Sequence, residues 1–267
     1  MPEPTPLLPT DFLIDQSDPA FPVVTINRAK KRNALSLAMW RELGNLFARL
    51  GADPAIRAII LTGAGGAFCA GADISEFPAV RATVADGRAY EEAGDHCQTA
   101  ISACPKATIA AISGPCYGGG VGVALSCDFR VADTSATFAI PAARLSNVYG
   151  IVETRALYEA VGMAHAKEVL FSGRRYEAAE AHRVGMATHL ADGTALSAAK
   201  ELAASLRNSA PLTIKGTKIV LEAISRGDTT GRKAAVDRVK DEAMSSADYK
   251  EGVKAFAEKR DPKFRGV

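Results

Sequence analysis

This sequence has no excess of charge of either sign. Its 32 Lys and Arg stand against 30 Asp and Glu, a net charge of +2 over 267 residues. A surface so balanced has no dominant electrostatic footprint for nucleic acid or for an anionic membrane. Disulfide and zinc frameworks are missing too. The five cysteines (Cys69, Cys97, Cys104, Cys116 and Cys127) are odd in number, lack Cys-x-x-Cys spacing and have no histidine in zinc-ligand register. They read as buried free thiols of a reducing compartment, and no metal site is expected. The chain opens Met-Pro-Glu-Pro-Thr-Pro, without a basic, apolar leader, so the expected location is cytoplasmic.

Several catalytic signatures are also absent. There is no Gly-x-Ser-x-Gly elbow, no His-Glu-x-x-His and no Gly-x-x-x-x-Gly-Lys-Ser/Thr phosphate loop. His96, His165, His182 and His189 read as surface or helix-packing residues. One uncharged run, Ala107 to Cys127, is long enough to cross a bilayer, but Gly114, Pro115, Gly118, Gly119, Gly120 and Gly122 interrupt it. A buried strand, a tight turn and a buried helix account for it better than a membrane span.

What remains is a chain 48% hydrophobic and 23% charged, long enough to bury roughly 75% of its unfolded surface without a staple. Residues 1–10, with four prolines, read as a loose arm. Phe12–Asp15 and Val23–Ile26 read as strands. Ser36 is placed to cap a helix running to about Leu50, where Met39, Leu43, Leu46 and Phe47 recur at helical spacing. Ile56–Leu61 and Thr108–Ile112 are continuous apolar runs, the pattern of strands buried on both faces. A helix is expected over about 86–103, a small-residue helix over 119–126, and short strands at Phe129–Ala132 and Thr137–Ala139. Helices dominate after Val152, and from about 209 the strand signal fades. The alternation predicts an α/β core over 11–208 with parallel strands, followed by a helical region over 209–267.

Two glycine-rich loops follow the buried strands: Ala67-Phe-Cys-Ala-Gly-Ala-Asp-Ile74, and Gly114-Pro-Cys-Tyr-Gly-Gly-Gly-Val-Gly122, which opens into a helix. Two readings stand. Glycines let the backbone approach a ligand and a helix start presents unpaired N–H groups, so facing loops would form an oxyanion hole. Alternatively, the glycines serve close helix–strand packing. Neither loop fits the dinucleotide fingerprint, which argues against a nicotinamide cofactor.

Taken together, the ordered motifs resemble the crotonase, or enoyl-CoA hydratase/isomerase, superfamily. They include Asn27-Arg28 with Asn33-Ala-Leu35, Leu61-Thr-Gly with Phe68-Cys-Ala-Gly-Ala-Asp-Ile74, and Ala110-Ala-Ile-Ser-Gly with Gly118-Gly-Gly. Leu170-Phe-Ser-Gly-Arg174, Ala179-Glu-Ala-His-Arg-Val-Gly185 and Glu251 to Arg260 continue the series. The resemblance implies a spiral of β-β-α turns, a helical C-terminal region that builds a homotrimer or a hexamer of two trimers, and an acyl-CoA substrate with no separate cofactor. By motif position, the Ala72 and Gly119 N–H groups would hold the thioester oxygen. Ala70, Asp73 and Ile74 would line the adenine and pantetheine path. Arg28, Lys30, Lys31 and Arg32 would suit the CoA phosphates, or else form a solvated cluster. Phe256 and Lys259 would reach a neighbouring subunit's CoA.

Where this chain departs from the family pattern, the reaction is at stake. Hydratases that it resembles carry two water-activating glutamates, and here Gly122 and Ala142 stand at those positions. Tyr149 matches a tyrosine of the methylmalonyl-CoA decarboxylase branch, where the hydroxyl orients a carboxylate. Glu153, at the start of a helix, is the nearest carboxylate that would share a face with it. Their alternatives are plain packing for Tyr149 and helix N-terminal charge for Glu153. Nominal 2-enoyl-CoA hydration, a decarboxylase-like or other lyase reaction, and a silent acyl-CoA-binding or assembly protein all stay open.

Overall fold

Two sheets carry the chain. The computed structural model describes residues 5–267; the first four residues of the expected arm lie outside it. The larger sheet has six strands in the order β1 (Phe12–Asp15), β2 (Val23–Ile26), β3 (Ala58–Gly63), β4 (Ala107–Ile112), β6 (Phe129–Ala132) and β9 (His189–Leu190). All neighbours are parallel except β1 and β2. The smaller sheet joins β5 (Pro115–Tyr117), β7 (Thr137–Ala139) and β8 (Tyr176–Glu177).

In the larger sheet, successive residues face opposite cores. Ile59 and Leu61 pack with Leu43, Phe47 and Ile101, whereas Ile60 packs with Ala195, Ala199 and Ala203. The first layer is built by α1 (Leu37–Ala52) and α3 (Val84–Ser102), the second by α7 (Ala195–Ser205). Alanines at four-residue spacing let α7 lie close against the strands. The Ile-Ile-Leu run is therefore apolar on both faces because both faces are covered.

Local signals set most boundaries. Ser36 caps α1 by accepting from the Met39 N–H. The strand expected from Ile56 begins instead at Ala58, because Asp53 and Pro54 shape a turn through Ile56. The helix expected from about 86 begins at Val84: Thr83 and Asp86 form a reciprocal capping box. The uncharged run 107–127 divides into β4, β5 and α4 (Gly119–Ser126), as its glycines and proline predict. A longer helix, α5 (Ile151–Ser172), is broken at Gly162, whose φ of 73° and ψ of 169° suit only glycine. Before it, Phe77–Val80 forms the single turn α2, and after it comes α6 (Ala178–Val184).

Helices α8 (Pro211–Ser225), α9 (Lys233–Ser245) and α10 (Ala247–Glu258) complete the chain. Asp248, buried, accepts from the Arg265 and Gly266 N–H groups at 2.7 Å each, and Arg57 donates to the Phe264 carbonyl at 2.6 Å. The final residues are thereby strapped to the core. No helix among the described residues is long and apolar enough to cross a membrane.

Candidate functional site

The two glycine loops meet edge to edge. Cys69 and Cys116 pair as an isolated parallel bridge, in which the Cys69 N–H donates to the Pro115 carbonyl at 3.1 Å and the Tyr117 N–H donates to the Cys69 carbonyl at 2.9 Å. Two residues on, Gly71 has φ +89°, and a Cβ there would lie 2.7 Å from the Tyr117 carbonyl and 2.9 Å from the Gly119 nitrogen. Only glycine allows this approach.

A second bridge, Leu35 with Ala72, orients the next N–H. In it the Leu35 N–H donates to the Gly71 carbonyl and the Asp73 N–H to the Leu35 carbonyl, both at 2.8 Å. A parallel bridge uses the groups flanking Ala72, so the Ala72 N–H itself points away from Leu35. Gly119 opens α4, where an N–H has no intrahelical acceptor. Among the described residues neither N–H donates to any acceptor. Two free donors thus stand on touching loops, one of them at a helix start with its positive dipole end.

Aromatic and basic side chains enclose this point. The Trp40 indole is 3.0 Å from where a Gly119 Cβ would stand, and its Nε1 donates to the Tyr90 hydroxyl at 3.0 Å. Tyr90 meets Phe77 edge to face at 5.6 Å between centroids. Arg81 lies over both rings and pairs with Glu91 at 3.2 Å.

Tyr149 reaches the start of α4, and Glu153 meets the Gln98 amide that borders Gly122 farther along the same helix. The Tyr149 hydroxyl lies 3.3 Å from the place of a Gly118 Cβ, and Glu153 sits in the first turn of α5. Burial pushes the Tyr149 hydroxyl pKa up, with the Glu153 charge adding to it. Burial likewise pushes the Glu153 carboxyl up to about 7; Gln98 opposes that shift with a hydrogen bond from Nε2 to Oε1 at 3.0 Å, and the Asp95 and Glu91 charges reinforce it. Asp95 is itself raised, by burial and then by Glu91.

Several of these groups escape a reading of the sequence alone. Gln98, Trp40, Arg81 and Asp95 carry no motif. Gln98 did leave one trace, since it is the single polar residue among the buried positions Tyr90, Ala93, Cys97, Gln98 and Ile101 of α3. Gly122 faces Gln98, and Ala142 is buried with its carbonyl accepting from the Leu145 and Asn147 N–H groups.

The basic cluster divides. Arg28 donates to the Ala34 carbonyl at 2.7 Å and to Asp73 at 3.1 Å, while Lys31 donates to Asp73 and to the Ser75 hydroxyl at 2.8 Å each. Asp73 is only 4% exposed. Burial alone would raise its pKa, but the hydrogen bonds from Lys31, Ser75 and Arg28 outweigh that and hold it at about 2. Arg28 and Asp73 therefore form an inward-facing pair that the half-exposed Lys31 reaches from the surface, whereas Lys30, Arg32 and Ile74 are exposed and Ala70 is partly buried. Phe256 and Lys259 lie at the end of α10; Phe256 is 89% exposed, and Lys259 caps the helix in the left-handed region. All five cysteines are buried and unpaired. Among the described residues, no group of three or more His, Cys, Asp or Glu is placed to hold a metal ion.

Known proteins match this chain along nearly its whole length. The sequence model of the Enoyl-CoA hydratase/isomerase family matches residues 18–267. The short-chain-enoyl-CoA hydratase of Clostridium acetobutylicum is 35% identical over 243 residues, covering 89% of this chain and 91% of the relative. The (E)-benzylidenesuccinyl-CoA hydratase of Thauera aromatica is 33% identical, covering 91% of this chain and 95% of its own. Among solved structures, an enoyl-CoA hydratase/carnitine racemase from Magnetospirillum magneticum superposes with a TM-score of 0.89 at 33% identity, covering 96% of both chains. With a family match over this span, and a fold that agrees with it, the chain belongs to the enoyl-CoA hydratase/isomerase family.

Proposed function

We infer that this protein binds an acyl-CoA by its thioester oxygen and moves a proton at the neighbouring carbon, nominally hydrating a 2-enoyl-CoA. The observation that carries this reading is the pair of unbonded N–H groups at Ala72 and Gly119. An oxygen that accepts from both gains most when it carries enolate charge, and one such donor is worth about 3–4 kcal/mol in the transition state. Water adds its hydroxyl to the β carbon and its proton to the α carbon, so the enolate is the species to be held.

Neither Gly122 nor Ala142 can transfer a proton, and Glu153 is the group suited to replace them. A carboxyl with a pKa of about 7 is present in both protonation states near neutrality, and so serves as base and then as acid. Tyr149, bordering Gly118, orients the acyl group. The names of the Clostridium and Thauera relatives, both hydratases of CoA thioesters, support the same class. In this reading Ala70 and Ile74 line the CoA path with exposed Lys30 near its phosphates, and Arg28 and Asp73 brace the loop from within, tied to Lys31 at its surface. The apolar groove that includes Leu212, Tyr249, Val253 and Phe256 is the subunit contact of a trimer or paired trimers, which brings Phe256 and Lys259 to a neighbour's CoA.

Purified protein incubated with crotonyl-CoA tests this through loss of the conjugated enoyl absorbance. Consumption is expected, with Glu153→Gln slowing it by about 10²–10⁴-fold and Tyr149→Phe by less. Unchanged turnover in both variants removes them from the mechanism. Tight CoA-ester binding without turnover would instead mark a silent binder, and release of CO₂ from a malonyl-type thioester a decarboxylase. Failure to bind any CoA ester would overturn the reading.

A further inference from the structure

Gly122 lies one turn inside α4, and the space that its missing side chain leaves is filled from another helix. A Cβ at Gly122 would stand 2.8 Å from the Gln98 Oε1 and 3.1 Å from its Cδ and Nε2. Gln98 comes from α3 and is wholly buried. Its Nε2 donates to the Glu153 carboxylate, and its Oε1 finds no partner among the described residues. A buried amide with one end unsatisfied carries a penalty that an apolar side chain of equal length would avoid. Packing alone does not explain a glutamine at this point.

We propose that Gln98 is the positioning residue for Glu153, seated in the room that Gly122 provides and fixing the carboxyl beside α4. This rests on Glu153 being the proton-transfer group. An amide N–H fixes a carboxylate without adding a charge, and it favours the ionised form. It acts against burial and against Asp95 and Glu91 on α3. Tyr149 lies on the approach to α5, with Arg81 acting on it from the end of α2, and α4 contributes no titratable side chain. Of the charges on the other elements packed against α5, Arg144 lies beside Gly173, and Glu180 is paired with Arg174 and Arg183. His182 is directed to the Ala187 carbonyl. Among the described residues, Gln98 is thus the one side chain hydrogen-bonded to the Glu153 carboxyl.

Carboxyl NMR of the full chain carrying ¹³C-labelled glutamate tests this without substrate. The Glu153 signal is identified by its loss in Glu153→Gln. Gln98→Met keeps the length of the side chain and removes the donor, so Glu153 should bind its proton at least about tenfold more tightly, the worth of one hydrogen bond to a charged group. Gly122→Ala, whose methyl displaces the same amide, should move it in the same direction and is the milder variant if Gln98→Met does not fold. The rising limb of the kcat/KM profile for enoyl-CoA should shift to higher pH by the same factor. A folded variant of either kind whose Glu153 titrates as in the parent overturns the proposal. Because the titration is read on the free protein, a shifted signal in a chain that turns over no CoA ester would refute the proposed reaction while leaving this link intact.

Discussion

Replacing Glu153 with glutamine should make the protein more stable at alkaline pH while removing its activity. In the unfolded chain this carboxyl has an ordinary pKa of 4.5, and in the folded protein it is raised to about 7. Between those values the folded state holds the proton more tightly, so stability falls as pH rises through the window and the full cost is present above it. A displacement of about 2.5 pH units corresponds to about 3 kcal/mol, an upper value because Glu153 is not completely enclosed. Glutamine keeps an oxygen to accept from Gln98 and never ionises. At about 2 °C per kcal/mol for a chain of this length, Glu153→Gln should melt about 6 °C above the parent near pH 8. Near pH 4, where the parent carboxyl is protonated in both states, the two should melt together. Thermal unfolding followed by circular dichroism at the two pH values measures this directly. A variant whose difference from the parent is the same at both would show that Glu153 ionises in the folded chain as easily as in water. The account of its catalytic role would then fail with it.

Other substitutions test the loops and the core. Gly71→Ala forces a Cβ between the Tyr117 carbonyl and the Gly119 nitrogen, so it should displace one donor and lower enoyl-CoA turnover by about 10²–10³-fold; a folded variant with parental kcat would exclude the two-donor site. Asp73→Asn strands Arg28, while the half-exposed Lys31 can turn to water, and should cost about 2 kcal/mol near neutral pH by denaturant unfolding. Because the Asp73 pKa is lowered from 3.8 to about 2, its stabilisation is complete above the first value and lost as pH falls through the second. The gap between parent and variant should therefore close in strong acid, and a gap that persists would refute the ion-pair assignment. Ala199→Leu, facing fully buried β-strand residues, should destabilise by about 1–3 kcal/mol through overpacking; a neutral effect would show that α7 does not lie as close as described.

Much of the fold was legible because its determinants are local. Ser36, Thr83 with Asp86, and the Gly114-Pro115 turn mark element ends through hydrogen bonds or backbone restrictions that span a few residues. The Ile59-Ile-Leu61 run announces a strand covered twice. A strand boundary shifts where a turn borrows its first residues, as at Ile56. The break at Gly162 was not legible, since a glycine inside an apolar helical run has no local mark distinguishing tolerance from a kink.

The site was legible only in part. The two glycine loops after buried strands are visible in one dimension, but alone they fit close packing as well as an oxygen site, and only the motif resemblance points to Ala72 and Gly119. By contrast, the Arg28 to Arg32 cluster reads as one basic patch, yet packing turns Arg28 inward to Asp73, binds the exposed Lys31 to the same carboxylate and leaves Lys30 and Arg32 without that partner.

What the sequence determines by itself is therefore the alternation of doubly buried strands with helices, the two glycine loops, and the absence of carboxylates at 122 and 142. These follow from side-chain volume, backbone freedom and apolar spacing along neighbouring residues. Tertiary structure alone decides that Gln98 of α3 meets both Gly122 of α4 and Glu153 of α5, residues separated by up to 55 positions. Three helix axes must converge before the amide can fill the glycine's space. The pKa of Glu153 then comes from the desolvation and neighbouring charge that the convergence imposes.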